Sequence, residues 1–413
     1  VNDFRIGLLR LERSIKEKMS LVSPEDKPLP ATLINARPLI ASLNEFFRSN
    51  QLSTILDDTN PLSEIDNLRR VSVLGPGGIN RERASFSIRD VNSSQYGRLD
   101  PVRSPEGPNI GLVTYLALYA QVNEFGFLET PYRKVEKIKK GKETLVKVTD
   151  EIVYLTADDE VDKYITYSGI KINKDGYIEN ERLPLRHNGN FSEGVASLVD
   201  FVDVTPRQVI GASASLIPFL AHDEGNRSLM GSNMQCQSVP LVGPESPVVG
   251  TGMETEIAKG MERVIYARHA GRVEYADAKV VEIKLDKKVD IVTTKADEVE
   301  VTEGGKKEIY HLMKFKRTAH STCYNQKVVV SPGDRVGEGD LLADGPSTES
   351  GELSLGRNLV IAYTSMSGYG FEDAILVSDK IVRNDLLTSI HIEEYDADIV
   401  DTKLGPEELT RDI

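Results

Sequence analysis

The sequence predicts an α+β fold with several domains, and three observations support that prediction. The chain has 413 residues, whereas one domain usually takes about 150. Segments with helical periodicity alternate with long stretches of strand-like alternation and turns. The composition, 39% hydrophobic and 28% charged residues, is ordinary for a folded globular protein and argues against global disorder.

Three helices are predicted in the first part of the chain. Apolar residues recur near helical spacing within residues 2–20, and again within about 32–56. The apolar run LVTYLALYAQV at 112–122 is predicted to be a buried helix. These segments indicate a helical core that precedes the strand-rich parts of the sequence.

Helix is predicted again over residues 205–238. Thr205 has the side chain of an N-cap, Pro206 suits the first helical position, and Asp223 is expected to cap a second helix. A polar stripe is expected along one face of that helix, because steps of four, three and four residues bring side chains together. The stripe consists of Asn226, Met230, Asn233 and Gln237. The alternative is an ordinary exposed helix face.

Strands are predicted in three further regions. Residues 125–200 alternate short strand patterns with turns and are expected to form a peripheral β-rich module. Residues 264–345 are strand-rich, and a strand-and-turn block is predicted from 358 to the end. The Gly-Asp repeat within 333–340 also occurs in biotinyl and lipoyl carrier modules, but no suitably placed lysine is present. We expect a structural, barrel-like element there.

Composition excludes several classes of protein. Two cysteines, Cys236 and Cys323, exclude a disulfide scaffold and a four-cysteine zinc site. No apolar run approaches the roughly 20 residues that a membrane span needs, so no membrane partner is expected. The formal charge of −14 would repel nucleic acid if it were spread evenly. Its distribution therefore matters.

One segment is locally basic. Between Arg69 and Arg103 stand seven arginines and three acidic residues, a net of +4. A loop rich in glycine and proline, GPGG at 75–78, lies among them, and a second, PEGP at 105–108, follows directly after Arg103. Arginine binds phosphate through a planar fork, and glycine lets a backbone approach a ligand closely. The segment therefore indicates a polyanion site, with a solvated face as the alternative; Asn80 stands where a dinucleotide fingerprint needs glycine.

Glu372 and Asp373 follow a glycine-rich turn, GYG. Adjacent carboxylates of this kind can bind Mg²⁺ directly, or hold a metal-bound triphosphate through water. Paired surface acids are common, so the spacing alone leaves an ordinary pair of exposed acids open as the alternative.

Six motifs occur in one order along the chain: QLSTILDDTNPLSEIDNLRRVSVLGPGGINRER, YGRLDPVRSPEGPNIGL, NRSLMGSNMQCQSVP, LADGPST, GYGFEDAILVS and DTKLGPEEL. Together they resemble the β subunit of bacterial-type (bacterial or plastid) DNA-directed RNA polymerase, over essentially the whole chain. The resemblance implies a central part of that subunit, left with incomplete barrel-like β elements by truncation. It implies a helical fork and rifamycin-pocket region at 1–120, an external β-rich module at 121–204, and a hybrid-binding and active-site region at 205–413 that ends before the flap.

The resemblance also implies site residues. Catalytic roles fall to Arg227, which would approach the incoming triphosphate, and to Glu372 and Asp373, which would lie near the second Mg²⁺, directly or through water. The implied nucleic-acid contacts are Arg69, Arg70, Arg81, Arg83, Asn226, Asn233 and Gln237. The implied inhibitor pocket consists of Gln51, Thr54, Asp57, Asn67, Arg70, Ser72, Pro105 and Asn109.

The implied reaction is template-directed nucleotidyl transfer from ribonucleoside triphosphates to an RNA 3′ end. The implied partners are the β′, α and sigma subunits, the DNA template and RNA. Mg²⁺ is the implied cofactor and is held mainly by β′, so this chain alone is expected to be inactive. The implied location is the bacterial cytoplasm, at the nucleoid, or the plastid stroma.

Two positions depart from the common family pattern. Thr54 stands where glutamine is usual, and Asn67 where histidine is usual. Both changes remove contact area and hydrogen-bonding options, and they predict weakened rifamycin binding. Two other functions remain as alternatives: a module that only binds partner proteins or inhibitors, and a carrier built on the Gly-Asp hairpin, which would need a modified lysine.

Overall fold

The computed structural model describes residues 1–21, 29–140, 143–289, 299–302, 304–403 and 405–411. Helices and several separate sheets lie along this part of the chain, and none of the described sheets closes into a barrel. The predicted α+β class is confirmed. The proposed domain limits remain a prediction.

The described α-helices are α1 (Asn2–Leu21), α2 (Pro30–Leu33), α3 (Arg37–Ser49), α4 (Pro61–Leu68), α5 (Phe86–Arg89), α6 (Ala157–Glu160), α7 (Ala212–Ser215), α8 (Gly225–Gln237), α9 (Glu254–Gly260) and α10 (Asp379–Arg383). Short 3₁₀ turns lie at Arg81–Arg83, Ser93–Gln95, Ala196–Leu198, Pro206–Val209, Leu220–His222 and Phe371–Asp373.

The described strands of the first half are β1 (Arg70–Ser72), β2 (Val113–Tyr115), β3 (Gln121–Val122), β4 (Leu128–Lys140), β5 (Glu143–Thr156), β6 (Ile165–Thr166), β7 (Arg182–His187), β8 (Asn190–Val195) and β9 (Phe201–Asp203). Those of the second half are β10 (Ile265–Tyr266), β11 (Gly271–Ala276), β12 (Val280–Leu285), β13 (Val299–Thr302), β14 (Lys307–His311), β15 (Lys316–Arg317), β16 (Cys323–Tyr324), β17 (Lys327–Val328), β18 (Arg335–Val336), β19 (Leu341–Asp344), β20 (Thr348–Glu349), β21 (Glu352–Leu353), β22 (Asp401–Thr402) and β23 (Gly405–Pro406).

Helices α1 and α3 pack closely because of one glycine. A Cβ atom on Gly7 would lie 2.8 Å from a methyl carbon of Leu39, and Ser42 Oγ donates to the carbonyl oxygen of Asp3 at 2.8 Å. The prediction that helix extends to residue 56 was wrong. The helix ends at Ser49 because Asn50 leaves the helical conformation and its side chain accepts the N–H of Leu52 at 2.9 Å.

The predicted helix at 112–122 was also wrong. Strand β2 occupies part of this run and pairs antiparallel with β1, so that Arg70 lies opposite Tyr115 and Ser72 opposite Val113. A short apolar run does not distinguish a buried helix from a buried strand. Here β-branched and aromatic residues favour a strand, and β1 supplies the hydrogen-bonding partner.

A sheet of seven strands, β3 to β9, occupies residues 121–203. The long β4–β5 hairpin packs with the other strands around Tyr132, Leu183 and Val202, which are all buried. Arg98 joins this sheet to the preceding turn, because its guanidinium forms an ion pair with Glu160 at 2.8 Å and donates to the carbonyl oxygen of Leu155 at 2.9 Å. The β-rich character predicted for 125–200 is confirmed.

The strands predicted within 264–345 are present. They form a five-stranded sheet in the order β13-β14-β12-β11-β18 and a three-stranded sheet in the order β10-β19-β17. Val281, Ile283, Tyr310 and Leu342 form the shared core. The Gly-Asp segment makes turns around β18, and the Asp340 carboxylate accepts the N–H of Gly337 at 2.7 Å. It is a structural element of these open sheets.

The strand block predicted from 358 onward was largely wrong. Between 359 and 400 the described chain has only the 3₁₀ turn and α10, and its apolar side chains, such as Val360, Tyr363 and Ile375, are exposed. A strand requires a hydrogen-bonding neighbour. The described residues offer this segment only isolated bridges at Ser389 and His391.

Asn60 fixes α4 against α8. Its side chain caps α4 by accepting the N–H of Ser63 at 2.9 Å. The same side chain donates to the carbonyl oxygens of Cys236 at 3.0 Å and Ser238 at 2.8 Å, at the C-terminal end of α8. Because Asn60 is fully buried, one amide satisfies backbone groups at two helix ends that water does not reach.

Replacing Asn60 by alanine should therefore loosen both helices. Loss of a cap and of buried hydrogen bonds costs about 2–3 kcal/mol, which is roughly a 30- to 150-fold rise in local opening. Hydrogen exchange followed by mass spectrometry should show faster exchange in peptides that cover α4 and α8.

The matched control is Asn92→Ala, which removes an exposed cap whose side chain accepts the N–H of Ser94 at 3.0 Å. We expect a small change confined to residues near 93–95. Equal effects of the two substitutions, or unchanged exchange in α8, would contradict the linking role of Asn60.

Candidate functional site

A polar cleft of about 340 Å³ lies between α8 and the loops of the basic segment 69–110, here called the basic loops, of which the loop from Arg103 to Asn109 lines it. Its wall combines charged, amide and aromatic side chains. The lining residues are Arg70, Arg103, Pro105, Glu106, Asn109, Tyr115, Leu229 and Asn233. The cleft therefore brings together residues that lie as much as 163 positions apart in the chain, from Arg70 to Asn233.

The seven arginines of the basic segment divide into two groups. The guanidinium groups of Arg69, Arg89, Arg98 and Arg103 bond to other groups of the protein. The Arg69 group donates to the carbonyl oxygens of Ala117 and Leu118, and burial lowers the pKa of that guanidinium. Arg70, Arg81 and Arg83 are exposed, and within the described residues their guanidinium groups make no hydrogen bond or ion pair.

Arg89 connects the two glycine- and proline-rich loops. Its guanidinium donates to the carbonyl oxygens of Pro108 at 2.7 Å and Ile110 at 3.0 Å, and also to that of Arg81 at 3.3 Å. The loop at 105–110 is thereby held beside the 3₁₀ turn that carries Arg81 and Arg83. Sequence reasoning counted Arg89 only as positive charge, because nothing in its spacing distinguishes an internal arginine from a free one.

Backbone geometry explains the glycines of the first loop. Gly75 and Gly77 have φ of 111° and 79°, values that residues with a Cβ rarely adopt. Gly78 donates its N–H to the carbonyl oxygen of Gly75 at 3.0 Å, and a Cβ at Gly78 would collide with the carbonyl oxygen of Val73. This tight turn presents Asn80 as the cap of the Arg81–Arg83 turn.

Helix α8 presents the predicted polar stripe beside the cleft. The stripe residues Asn226, Met230, Asn233 and Gln237 are exposed or half-buried, whereas Ser228, Ser232 and Cys236 are buried.

The prediction of Asp223 as the cap of α8 was wrong. Glu224 caps the helix by accepting the N–H of Arg227 at 3.1 Å, whereas Asp223 ends the preceding 3₁₀ turn. The adjacent carboxylate has the reach to the third helical N–H.

The Thr205 cap is confirmed, on a short 3₁₀ turn. Its side chain accepts the N–H of Arg207 at 3.4 Å, and Pro206 occupies the first position of the turn.

The Arg227 guanidinium makes one weak contact, to the sulfur of Met230 at 3.4 Å. Its charge is therefore available to a ligand beside α8.

Glu372 and Asp373 lie in an exposed, strained turn. Their φ angles are 54° and 64°, a region that costs a non-glycine residue about 1–3 kcal/mol. Within the described residues neither carboxylate forms a hydrogen bond or an ion pair, and none joins them to Arg227. Their oxygen atoms are the ligand type that Mg²⁺ prefers, but two carboxylates form only part of a coordination shell. No group of three or more His, Cys, Asp or Glu side chains suited to a metal occurs among the residues described.

The predicted inhibitor-pocket residues fall into two sets. Arg70, Pro105 and Asn109 line the cleft, and the buried Oδ1 of Asn109 has no hydrogen-bond partner. The other set does not line it: Gln51, Thr54, Asp57, Asn67 and Ser72. Gln51 and Thr54 are exposed, Asn67 is half-buried, and the Asp57 carboxylate accepts from Thr59 Oγ1 at 2.8 Å.

In the sequence analysis, Arg103 counted only as part of the basic segment and had no role of its own. It is only 6% exposed. Its guanidinium pairs with the Asp66 carboxylate, donates to Ser213 Oγ and lies 4.3 Å from the ring centre of Tyr115. Asp66 had carried no signal in the sequence, because a carboxylate on a short helix is usually exposed.

Among the described helices, none combines the length and the apolar character needed to cross a bilayer.

Three known families of protein segments match the chain. Residues 54–122 match "RNA polymerase Rpb2, domain 3", residues 132–205 match "RNA polymerase beta subunit external 1 domain", and residues 267–413 match "RNA polymerase Rpb2, domain 6". The basic loops thus fall in the first match, and the Glu372–Asp373 turn falls in the last.

Similar curated proteins match the whole chain. Two of them are named DNA-directed RNA polymerase subunit beta, from Streptococcus pyogenes serotype M5 (strain Manfredo) and serotype M49 (strain NZ131). Each is 46% identical over 412 residues, which is 100% of this chain and 33% of the relative. The chain therefore spans about a third of the length of these relatives.

Proposed function

We propose, on the premise that this chain belongs to the β-subunit family of RNA polymerase, that it is the central part of the β subunit of a DNA-dependent RNA polymerase. The complete enzyme would transfer nucleotides from ribonucleoside triphosphates to an RNA 3′ end under the direction of a DNA template. One observation carries the proposal most strongly. The unpaired Arg70 and Asn233 of the α8 amide face line one cleft, within a chain that matches β subunits along its entire length.

The proposed contacts to nucleic acid are the three arginines of the basic segment that have no partner among the described residues. Arg81 and Arg83 lie on a turn shaped by glycines, and Arg70 lies at the cleft. Free guanidinium groups bind phosphate oxygens and displace condensed cations, so that binding weakens as salt rises. Arg69 would act differently, because its guanidinium is already bonded to carbonyl oxygens. It would support the strand that carries Arg70.

The exposed face of α8 is the proposed contact to RNA and to the incoming nucleotide. Asn226, Asn233 and Gln237 offer amide donors and acceptors to sugar and base edges. Arg227 would neutralise charge on the triphosphate through charge-assisted hydrogen bonds. The cap by Glu224 holds the backbone of Arg227 in place.

Glu372 and Asp373 are proposed to act at the edge of an Mg²⁺ site. Mg²⁺, when bound, would stabilise the attacking and leaving oxygens of the phosphoryl group. Within this chain the two exposed carboxylates would orient the triphosphate or its ordered water, and their strained turn would fix the direction in which they point. The remaining ligands would come from the β′ subunit and from the nucleotide.

The proposed partners are the β′, α and sigma subunits, together with DNA and RNA. The exposed apolar side chains of 359–400 support a need for further protein contacts, because exposed apolar patches of this extent commonly mark interfaces. The proposed location follows the template: the nucleoid region of a bacterial cytoplasm, or the plastid stroma.

The direct test is primed RNA extension by the complex isolated through a tagged full-length parent chain, with template DNA, ribonucleotides and Mg²⁺. Template-directed lengthening is expected. A complex that contains the partner subunits and still fails to extend RNA would contradict the proposal, and would favour a module that only binds proteins.

Substitution of Arg81 and Arg83 by alanine should weaken template binding in the assembled enzyme. Each lost phosphate contact should reduce the salt slope of the binding constant by about one. Filter binding or fluorescence anisotropy across a salt series measures that slope. Arg37→Ala is the control, since Arg37 is exposed at the start of α3 and distant in sequence from the basic loops. Equal slopes for all variants would exclude these phosphate contacts.

Asp373→Asn and Glu372→Gln should impair nucleotide addition without unfolding the chain. Supporting residues of metal sites typically change activity or metal affinity by roughly 10- to 100-fold. Single-nucleotide addition measured against Mg²⁺ concentration should show a higher Mg²⁺ requirement. The control is Asp379→Asn, an exposed acid on α10 that pairs with Arg383. An unchanged Mg²⁺ dependence in both variants would argue against the metal-linked role.

Thr54→Gln with Asn67→His should increase inhibition by rifampicin. The larger amide and the imidazole would restore contacts, and one good contact amounts to roughly a tenfold gain in affinity. Inhibition curves for the assembled enzyme measure the effect, with Ser53→Gln as the neighbouring control. Strong inhibition of the unsubstituted enzyme at low micromolar rifampicin would show that the two positions do not weaken binding.

A further inference from the structure

We infer that Arg103 is a positioning residue that, through its pair with Asp66, holds the Pro105–Asn109 turn at a fixed separation from α8. It thereby determines how tightly the exposed face of α8 binds the incoming nucleotide. This inference rests on the proposed function. The claim that Arg103 keeps α8 in position concerns the protein alone and can be tested separately.

Arg103 contacts four elements of the fold at once. The guanidinium pairs with Asp66 of α4, and both side chains are more than nine-tenths buried. It donates to Ser213 of α7 and to the sulfur of Cys236 on α8, the latter at 3.3 Å. The ring of Tyr115 on β2 lies against its other face. No other residue of the cleft makes such a set of described contacts.

The backbone at Arg103 is anchored to the same place. The Asp100 carboxylate accepts the N–H of Val102 at 2.9 Å and that of Arg103 at 3.4 Å through one oxygen, and the N–H of Gly211 at 2.8 Å through the other. Gly211 immediately precedes α7. Burial raises the pKa of Asp100 in spite of these bonds. Loop and side chain are thus both tied to the α7–α8 region.

Asp66 and Cys236 close the network from the other side. The Cys236 thiol donates to the Asp66 carboxylate at 3.0 Å and lies 3.6 Å from Ser213 Oγ. The two Nη groups of Arg103 therefore point at protein groups, whereas its buried Nε has no hydrogen-bond partner. Its influence on a ligand passes through two neighbours, the turn that begins two residues later at Pro105 and the helix that carries Asn233.

An ion pair in this place is better suited to positioning than to stability. Removing two charges from water offsets most of their attraction, so a buried pair adds little to folding, whereas its directional bonds select one arrangement. A hydrophobic pair of similar size would fill the space without fixing the separation. That difference provides the experiment.

Four variants of the full-length parent chain, assembled with its partner subunits, separate the possibilities: Arg103→Lys, Asp66→Asn, Arg103→Gln and the double variant Arg103→Met with Asp66→Leu. Single-nucleotide addition should show KM for the nucleotide raised about tenfold in every variant, with kcat changed less than threefold. The double variant should melt at the temperature of the unsubstituted enzyme and still show the raised KM. Restored KM in the double variant would reduce Arg103 to a packing residue and overturn the inference.

The rate at which the Cys236 thiol is alkylated measures how firmly α8 is held in place, and this measurement does not depend on catalysis. Cys236 and Cys323 are the two cysteines, and both are buried and unpaired. Arg103→Gln should speed alkylation of Cys236 at least tenfold and leave Cys323, which is remote from the network in sequence, unchanged as the internal reference. Unchanged Cys236 labelling would show that Arg103 does not hold α8. An unsubstituted enzyme that fails to extend RNA would contradict the proposed function instead, and the labelling would still decide the hold.

Discussion

The position of α8 depends on buried polar contacts made to its C-terminal end by residues far away in the sequence. Asn60 donates to the last carbonyl oxygens of the helix, and Arg103 with Asp66 surrounds the thiol of Cys236. Because buried polar groups are costly when they lose their partners, this end of α8 has one favourable arrangement. The exposed face of the helix, including Asn233, is placed beside the basic loops as a consequence.

The distribution of arginine explains how an acidic chain can present a basic site. The formal charge is −14, yet the basic segment carries a local excess of arginine. Four of its arginines donate hydrogen bonds to other groups of the fold, whereas Arg70, Arg81 and Arg83 have no such partner among the described residues. Internal arginines fix the loops by bonding to carbonyl oxygens, as Arg89 does at Pro108 and Ile110. The free arginines therefore lie on segments that are already fixed, and this reduces the entropy that they lose on binding a ligand.

Some features followed from the sequence because their causes are local. The Thr205 cap with Pro206, the glycines of the GPGG turn and the helical register of the α8 stripe depend only on neighbouring residues. The α+β class followed from periodicity. The motifs, taken in order, led to the family that the comparisons then supported.

Other features depend on distant partners and could not be foreseen. The run at 112–122 becomes a strand because β1 is available to pair with it. The segment 359–400 lacks strands because the described chain supplies almost no neighbour for it. Arg103 is bonded within the fold, unlike Arg70 in the described chain, because Asp66 and Ser213, on helices α4 and α7, lie next to the Arg103 guanidinium. Sequence spacing carries no information about such pairings.

The claim that the cleft faces RNA is tested most directly by cross-linking. RNA with 4-thiouridine at its 3′ end would be bound in the assembled enzyme, irradiated, and the modified peptides of the parent chain identified by mass spectrometry. We predict cross-links within residues 70–109 and 226–237. Cross-links confined to residues 121–204, or to the partner subunits alone, would contradict the placement of the RNA end at this cleft.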